Sequence, residues 1–314
     1  MTSKQLGFMI MGTLVGVNFL TLPRIASERA GQDAWIAVLI GALLPLVVLV
    51  LIDRLGRQFP DKDFIQMSQF LFGKIGGSLL VIILSLHMII GVAREIARFT
   101  LVESIFLLPQ TPNWVISLLI LLVSLYVAGQ GVQVVARINE LLTYLLLPFF
   151  FLIVQPLISA ADYTHLLPAG GAGIASIARS SFDVSLYFGR MEFLMVAYFM
   201  VTRKDEVLKA GVIAWSGVVL PYVLFTAACL MVFGPASLQD QLTPVLVMFK
   251  SVSYPLLERM DILFMLVWSI AFRPAFNLLC MSGYSLTRLL NFQQRKHYLI
   301  ILIVSGTAAY LLAL

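Results

Sequence analysis

Glycines and a polar amide interrupt the first apolar segment of the chain, between Gly12 and Pro23. The stretch also contains Gly16 and Asn18. Glycine weakens a helix and lets a ligand approach the backbone, and an asparagine brings a polar group to membrane depth. Broken helices of this kind occur where freed backbone groups line a cavity. Glycines four residues apart also suit close packing between helices, which is the interpretation that these residues favour on their own.

A second interrupted segment follows the glycine-rich run 170–173 and carries Asp183, Gly189, Arg190 and Glu192. Two glycine-interrupted helices at matching positions in two halves of a chain indicate a transporter-type binding site. Helix ends at such breaks offer N–H groups to a carboxylate and C=O groups to an ammonium group, which suits a zwitterionic amino acid. The alternative is that Gly189 is a packing contact and that Arg190 pairs locally with Glu192.

Charged residues lie at membrane depth in the third, sixth and eighth apolar segments. The arginines among them are Arg94, Arg98, Arg190 and Arg273. Because a charge facing lipid is costly, each should face protein or water and have a partner. Glu95 and Arg98 are three residues apart and could pair within one helix. This segment therefore indicates either an ion-pair network that braces the bundle or a pathway for a ligand or an ion. His87, on the same helix face, is expected to be packed and hydrogen-bonded rather than a proton relay.

The eighth apolar segment contains a third irregularity. Pro274 follows Arg273 directly, and Asn277 lies one turn later. Proline removes a backbone hydrogen bond, so a kink is expected here. Proline kinks are common in membrane helices, but this one would add a third polar, irregular helix to the same interior.

Composition indicates an integral membrane protein. The 314 residues are 60% hydrophobic and 12% charged, and the mean hydropathy is +0.97, whereas about a quarter of the residues in soluble proteins are charged. The net charge of +5 arises from short basic clusters between apolar runs, a pattern of membrane topology and not of nucleic-acid binding. The chain has no metal-ligand spacing, HExxH motif or serine elbow, so we expect neither an enzyme nor a metal or cofactor site.

A membrane span needs about 20 mostly apolar residues. On this criterion the sequence predicts nine helices, at about 6–23, 34–52, 77–106, 113–132, 138–158, 179–200, 210–233, 260–287 and 298–314. The whole chain is expected to form a single transmembrane domain, with surface helices in the longer connections 53–76 and 234–259.

The distribution of basic residues predicts the orientation in the membrane. With the N-terminus inside, the inner loops hold 12 Lys and Arg residues and the outer loops hold 5, which is the arrangement that the positive-inside rule favours. An odd number of helices places Leu314 on the outer side, directly after an apolar run, so the chain is expected to be shortened.

Short motifs follow one another in order from about residue 5 to residue 300. They are Thr21-Leu-Pro-Arg24, Ala30-Gly-Gln-Asp-Ala-Trp-Ile36, Phe59-Pro60, Leu108-Pro-Gln-Thr-Pro112, Ala136-Arg-Ile-Asn-Glu140, Leu166-Leu-Pro168, Phe188-Gly-Arg-Met-Glu192, Val232-Phe-Gly234 and Glu258-Arg-Met-Asp261. Each motif is weak alone, but the ordered set resembles the B subunits of spore-germination receptors, of the GerAB and GerKB type. The stretch from Gly12 to Pro23 is also similar to the first-helix motif of the wider amino acid–polyamine–organocation transporter superfamily.

This resemblance implies an all-α, LeuT-like fold of five-plus-five inverted repeats. Repeat one would cover about 6–158 and repeat two about 179–314, the latter incomplete because nine helices are predicted where the family has ten. The implied role is the integral membrane component of a nutrient germinant receptor in the inner membrane of bacterial spores. The implied partners are an A subunit, a C lipoprotein subunit, the lipid bilayer and a small nutrient such as an amino acid.

The family holds its ligand where the interrupted first and sixth helices meet. Carried onto this sequence, the ligand contacts are Gly16, Val17, Asn18, Phe19, Phe188, Gly189 and Glu192. Arg98 and Arg273 are added by their helix position and not by a motif.

Two other functions fit the sequence. A proton- or sodium-coupled amino acid permease would need a titratable or cation-binding group beside the cavity, and Glu103, Asp183 and Glu192 are the nearby carboxylates. A scaffold that only recruits other subunits would tolerate a bulky residue at Gly16 or Gly189, whereas a receptor or a permease would not.

Overall fold

The computed structural model describes residues 1–251 and 260–314, so Arg259 and the first part of the motif 258–261 lie outside the described residues. The regular secondary structure of the described residues is helical. The α-helices are α1 (Ser3–Leu14), α2 (Asn18–Ala30), α3 (Ala34–Gly41), α4 (Leu43–Gln58), α5 (Phe64–Phe106), α6 (Asn113–Gly129), α7 (Val132–Leu146), α8 (Val154–Ser159), α9 (Ile174–Tyr187), α10 (Phe193–Ala197), α11 (Val207–Gln239), α12 (Pro244–Lys250), α13 (Met260–Trp268), α14 (Arg273–Leu289) and α15 (Arg295–Ala313). Short 3₁₀ segments join several of them.

Six helical stretches in the described parts of the chain are long and apolar enough to cross a membrane. They are Asn18–Gln58, Phe64–Phe106, Val132–Ser159, Lys204–Gln239, Ile262–Leu289 and Arg295–Ala313. The apolar helix α6 is shorter. The first and the sixth predicted spans are each divided into two helices, α1 with α2 and α9 with α10.

The first break lies between α1 and α2, at the predicted glycine. The helix α1 begins with a capping box, in which Thr2 and Gln5 each satisfy a backbone N–H of the other, an arrangement that stabilises a helix start. It ends at Leu14, because Val15 has extended dihedral angles (φ −91°, ψ 107°). The next helix starts at Asn18, which leaves Gly16 in the unwound segment between the two helices.

Pro23 does not end the first span, contrary to the predicted boundary. It lies inside α2, which continues to Ala30. A proline within a helix removes one backbone hydrogen bond, a loss that neighbouring packing can accommodate in membrane helices. The α2 helix has such packing, because it lies against α9 and α11.

The second break separates α9 from α10. The helix α9 ends at Tyr187, and Arg190 has a positive φ of 95°. An arginine rarely adopts this conformation, since its Cβ is crowded there. A residue in such a conformation must be held by its surroundings. Arg190 is held by an ion pair with Glu95, which is described with the functional site below.

Two long helices bend at glycines with positive φ. The helix α5 has a kink at Gly73 (φ 73°), and α11 has one at Gly234 (φ 72°). The helical residues before the first kink and after the second lie in the connections where surface helices are predicted. The extra segments therefore continue long membrane helices, and α12 follows the second as a separate helix.

A buried amide network links α1, α7 and α14 in the core. Asn139 donates to Asn277 Oδ1 at 2.7 Å, and Asn277 donates to Thr13 Oγ1 at 3.0 Å. All three side chains are inaccessible to solvent. A Cβ at Gly12 would overlap Asn139 Oδ1. Gly12 therefore serves close packing, the interpretation that the sequence alone favours, whereas Gly16 lies at the break.

Asp33 anchors the glycine-rich run that precedes α9. This fully buried carboxylate accepts hydrogen bonds from the backbone N–H groups of Gly170 at 2.7 Å and Ala172 at 2.8 Å. In the same loop, hydrogen bonds from the Thr164 hydroxyl and backbone N–H lower the pKa of Asp162. The glycines of the run 170–173 let the chain turn the N–H groups of Gly170 and Ala172 toward the carboxylate of Asp33.

We predict that Asp33→Ala destabilises the protein by about 1–3 kcal/mol, because two backbone N–H groups lose a charged acceptor. The measurement is the apparent Tm in detergent, followed by circular dichroism. Asp61→Ala is the control, since Asp61 is exposed. Equal Tm values for the two variants would contradict the anchoring role.

Candidate functional site

The buried carboxylate of Glu95, on α5, joins the two breaks. Its side chain is 0% exposed, and its Oε2 accepts a hydrogen bond from Arg190 Nη2 at 2.6 Å. Its Oε1 lies 3.4 Å from the backbone N–H nitrogen of Val17. Because the start of α2 carries positive partial charge, a carboxylate is favourable there. Glu95 therefore binds the unwound part of the first span and the unwound part of the sixth at once.

The ion pair is not the one predicted from spacing. Glu95 pairs with Arg190 across two spans and not with Arg98, although Arg98 lies at the i+3 position of the same helix. The local pair between Arg190 and Glu192 is also absent from the ion pairs of the described residues, because Glu192 instead faces His87.

Arg98 forms a second bridge between the same elements. Its Nη1 donates to Asn18 Oδ1 at 2.7 Å, and Asn18 Nδ2 donates to the backbone carbonyl of Tyr187 at 2.9 Å. The guanidinium carbon of Arg98 also lies 5.3 Å from the centre of the Tyr187 ring, within the range of a cation–π contact. Arg98 thus connects α5 to the start of α2 and the end of α9.

His87 and Glu192 form a third polar contact nearby. His87 Nε2 and Glu192 Oε1 are 3.1 Å apart, and the side chain of His87 is 50% exposed. His87 is therefore hydrogen-bonded, as expected, but it is not packed in the core.

A cavity of about 490 Å³ lies beside these contacts. Its size falls in the range of small-molecule sites. Four of the predicted contact residues line it, namely Asn18, Arg98, Gly189 and Glu192. The remaining lining residues include His87, Arg94, Tyr187 and Arg190. The walls therefore carry several cationic groups and one carboxylate.

A second cavity, of about 600 Å³, continues from the first along α2, α5 and α9. Val17, Arg24, Glu28, Arg29 and Asp183 are among its lining residues. Both cavities include Arg98, Leu186 and Tyr187. The Arg98–Tyr187 contact therefore lies between them.

Phe19 and Phe188 are buried in an aromatic cluster and line neither cavity. The ring of Phe19 stacks on Trp268 with centroids 4.9 Å apart, and Phe225 lies at the same distance. Phe188 contacts Tyr222, with centroids 5.0 Å apart. These residues support the breaks from the inside, so direct contact with a ligand in the described cavities is not available to them.

Arg273 also lines neither of the two cavities. It is 2% exposed, and its Nη1 donates to Thr143 Oγ1 at 2.7 Å. Its Nε has no hydrogen-bond partner among the described residues. The neighbouring Pro274 lies against the unwound segment, because a Cβ at Gly16 would come within 3.1 Å of its ring. Arg273 is therefore a buried cation that bonds α7, and its chain neighbour Pro274 is the residue that contacts the first break.

Several residues of the site are not among the predicted contacts, including the cavity residues His87, Arg94, Tyr187 and Arg190 and the bridging residue Glu95. The sequence predicts only a local pair for Glu95. A carboxylate one residue from a membrane-depth arginine signals that some charge pairing is needed. The spacing cannot reveal that the partner comes from another span.

A family profile described as "Spore germination protein" matches residues 1–313. The chain belongs to the spore germination protein family. It is 28% identical over 273 residues to spore germination protein YndE of Bacillus subtilis (strain 168), which covers 85% of this chain and 74% of that relative. It is 27% identical over 269 residues to spore germination protein KB of the same organism, which covers 84% and 71%. These relatives place it among the B subunits of germination receptors, as the motifs indicate, in a transporter-like and not an enzymatic family.

Solved transporter structures share the fold. Mhp1, a nucleobase-cation-symport-1 family transporter in a closed conformation, aligns with 99% of this chain and 71% of its own, with a TM-score of 0.75 and 13% identity. A Na⁺-coupled sialic acid symporter in its outward-open state aligns with 100% of this chain and 72% of its own, with a TM-score of 0.73 and 13% identity. The germination protein is thus a multi-pass membrane protein with a LeuT-like fold, which confirms the predicted fold class.

We predict that Gly16→Ala lowers the apparent Tm of this B subunit, because the new Cβ would overlap Glu95 Oε1 and displace the bridging carboxylate. Overpacking of this kind costs about 1–3 kcal/mol. Gly189→Ala is the matched control at the other break, where the nearest atom to a new Cβ is the Leu186 carbonyl of its own turn, at 3.1 Å. A larger loss of Tm for Gly189→Ala than for Gly16→Ala would contradict this assignment.

We also predict strong coupling between Glu95 and Arg190. Either Glu95→Leu or Arg190→Met alone leaves a buried charge unpaired, at a cost of about 3–5 kcal/mol. The double variant should lose less than the sum, with a coupling of about 1–3 kcal/mol in a thermal-unfolding double-mutant cycle. The exposed pair Arg203–Glu206, at 2.9 Å, provides the control cycle and should give a coupling near zero. Additive losses at Glu95 and Arg190 would show that they do not act as a pair.

Proposed function

We propose that this B subunit binds a small nutrient, an amino acid, in the cavity beside the two breaks, and that binding triggers germination. The observation that carries this proposal is the cavity itself, because it lies at the meeting point of two broken helices and is lined by opposite charges. In a LeuT-like fold, that position is where freed helix ends are available to a polar ligand.

The ligand carboxylate would bind on the Arg98 side of the cavity. The sequence predicts that the N–H groups at the start of α2 receive it, but Glu95 already lies against the Val17 N–H. Arg98 uses Nη1 for Asn18, and a guanidinium has further N–H donors in a planar fork that suits a carboxylate. The ligand ammonium would bind at the C-terminal end of α9 and near Glu192, where carbonyl oxygens and a carboxylate concentrate negative charge.

Binding would act by shifting the population between two arrangements of the bundle. The contacts Glu95–Arg190, Glu95–Val17 and Arg98–Asn18 hold the described arrangement together. A ligand that competes for Arg98 would favour an arrangement in which these bridges are exchanged. The A subunit and the C lipoprotein subunit would detect the change in the inner membrane of the spore, with the N-terminus of this subunit on the inner side.

A coupled permease is the second candidate, and the His87–Glu192 contact favours it, because a titratable pair lines the cavity. Arg273 supports the receptor instead. It is a buried cation, and its chain neighbour Pro274 lies against the unwound segment at Gly16. Because arginine does not release its proton in proteins, this cation is permanent, whereas a coupled transporter needs one that binds and leaves.

The test is paired binding and uptake of a labelled amino-acid panel in liposomes that contain this subunit alone. We expect saturable binding without gradient-driven accumulation. Arg98→Gln should weaken binding at least about tenfold, because a charged hydrogen bond is lost. The control is Arg137→Gln, at an exposed residue of α7 that lines neither cavity.

Accumulation driven by a proton or sodium gradient would reject the receptor in favour of the permease. A folded sample that neither binds nor accumulates any member of the panel would reject ligand binding by the isolated subunit and leave a scaffold. Equal binding by the two arginine variants would reject the assigned position of the carboxylate.

A further inference from the structure

A groove lies between α1 and α11, at the end of the bundle where both helices begin. Its volume is about 520 Å³, and it shares no lining residue with the two cavities beside the breaks. The last helix of the described chain, α15, packs against α5, α6 and α14. The groove therefore lies in a part of the bundle that is separate from both the ligand site and α15.

Small residues form the floor of the groove, because they bring α1 and α11 close together. A Cβ at Gly7 would lie 3.2 Å from the Ala210 carbonyl oxygen and 3.7 Å from Ala214 Cβ. A Cβ at Gly217 would overlap Met11 Cε. The two helices therefore touch along the floor, and larger side chains stand on either side of it.

Apolar side chains form the walls. Phe8 and Met11 of α1 and Ile213 of α11 line the groove, and Ile213 is 63% exposed. From Lys4 to Met11 the groove follows α1 for about 10 Å. This length suits part of one acyl chain within a leaflet, whereas a partner helix that crosses the hydrocarbon core would need a contact surface of about 30 Å.

Two lysines stand at the mouth of the groove. Lys209 is exposed and has neither an ion pair nor a hydrogen bond among the residues that the structure describes. The side chain of Lys4 is 66% exposed and lies 3.2 Å from Glu140. The carboxylate that lines the groove, Glu206, pairs with Arg203 at 2.9 Å. The charge that remains without a counter-ion at the mouth is therefore positive.

The lysines lie at the level where the membrane meets water. Each belongs to the first turn of its helix, since α1 starts at Ser3 and α11 at Val207. An ammonium group near a helix end reaches the headgroup region, while the apolar walls extend into the hydrocarbon. The positive-inside rule predicts that this end of the bundle is on the inner side, where anionic lipids give the membrane surface a negative potential.

We propose that this groove binds one anionic phospholipid of the inner leaflet. The lipid phosphate accepts hydrogen bonds from Lys209 and Lys4, and one acyl chain packs on Phe8, Met11 and Ile213. Basic pockets between membrane helices on the cytoplasmic side suit such headgroups. A zwitterionic lipid carries a cation of its own, which the lysines repel.

A bound lipid would stabilise the packing of α1 on α11. Near the other end of α1, just before the first break, Tyr222 of α11 donates to the Leu14 carbonyl oxygen at 3.1 Å. A ligand that binds only one arrangement of a protein raises the stability of that arrangement. The lipid would thus hold α1 in its described position, independently of whether an amino acid binds beside the breaks.

The experiment is native mass spectrometry of the purified full chain with added phosphatidylglycerol or phosphatidylcholine that have the same acyl chains. We expect the first phosphatidylglycerol to bind about five- to tenfold more tightly than phosphatidylcholine, because each lysine near an anionic headgroup contributes a factor of about five. Lys209→Gln should weaken phosphatidylglycerol about fivefold and leave phosphatidylcholine unchanged. Lys296→Gln is the matched control, at an exposed lysine of α15 that does not line the groove, and it should keep the preference.

A second pair of variants tests the apolar part of the groove. Ala210→Leu places a larger side chain at a lining position and should weaken both lipids. Ser216→Leu, at an exposed position of the same helix that does not line the groove, should weaken neither. If Ala210→Leu does not fold, the comparison of the two lysine variants still decides the question.

Inorganic phosphate at millimolar concentration distinguishes a lipid site from a site for a free anion, and it should not displace phosphatidylglycerol. Displacement by phosphate would overturn the proposal. Equal affinities for the two lipids, or a preference for phosphatidylglycerol that survives Lys209→Gln, would also overturn it.

Discussion

A single buried carboxylate holds together the two places where the membrane helices of this protein are broken. Glu95 reaches Val17 on one broken span and Arg190 on the other. Removing two charges from water is costly, and the cost is offset only when geometry and further hydrogen bonds are good. The unusual backbone of Arg190 (φ 95°) and the small size of Gly16 are both explained by this contact. The first orients the guanidinium toward Glu95, and the second leaves space for the carboxylate.

The relation to transporters becomes clearer from this arrangement. Mhp1 and the sialic acid symporter share the fold with this germination protein, but a fold does not determine what a site does. In the present chain, the start of α2 is occupied by a carboxylate of the protein itself, because Glu95 lies against the Val17 N–H. The function of the site therefore has to be argued from these side chains and not from the shared fold.

Composition predicts a helical membrane protein, and the resemblance to the germination B subunits implies the LeuT-like fold. The positions of both breaks are predicted because glycines and polar groups are rare within membrane spans and therefore informative. The sequence does not predict the partners of the charged residues. Glu95 and Arg98 satisfy the spacing rule for a pair in one helix, yet a better-oriented guanidinium arrives from another span. The sequence also does not predict which way the side chains of Phe19 and Phe188 point. Both residues lie at the breaks, but their rings pack into the aromatic cluster around Trp268. Pro23 was expected to end a helix, but one missing hydrogen bond was outweighed by the packing of α2.

The contacts of Asp33 have a mechanical consequence. Asp33 lies just beyond α2 and holds the loop that leads into α9. Ser180 on α9 also donates to the Ala26 carbonyl at 2.8 Å, and Arg29 pairs with Asp183 at 2.6 Å. These contacts join α2 and α9 at several points. A movement of the two helices together would have to change the backbone at the breaks where they end, at Gly16 and at Gly189–Arg190, and Glu95 contacts the chain at both breaks.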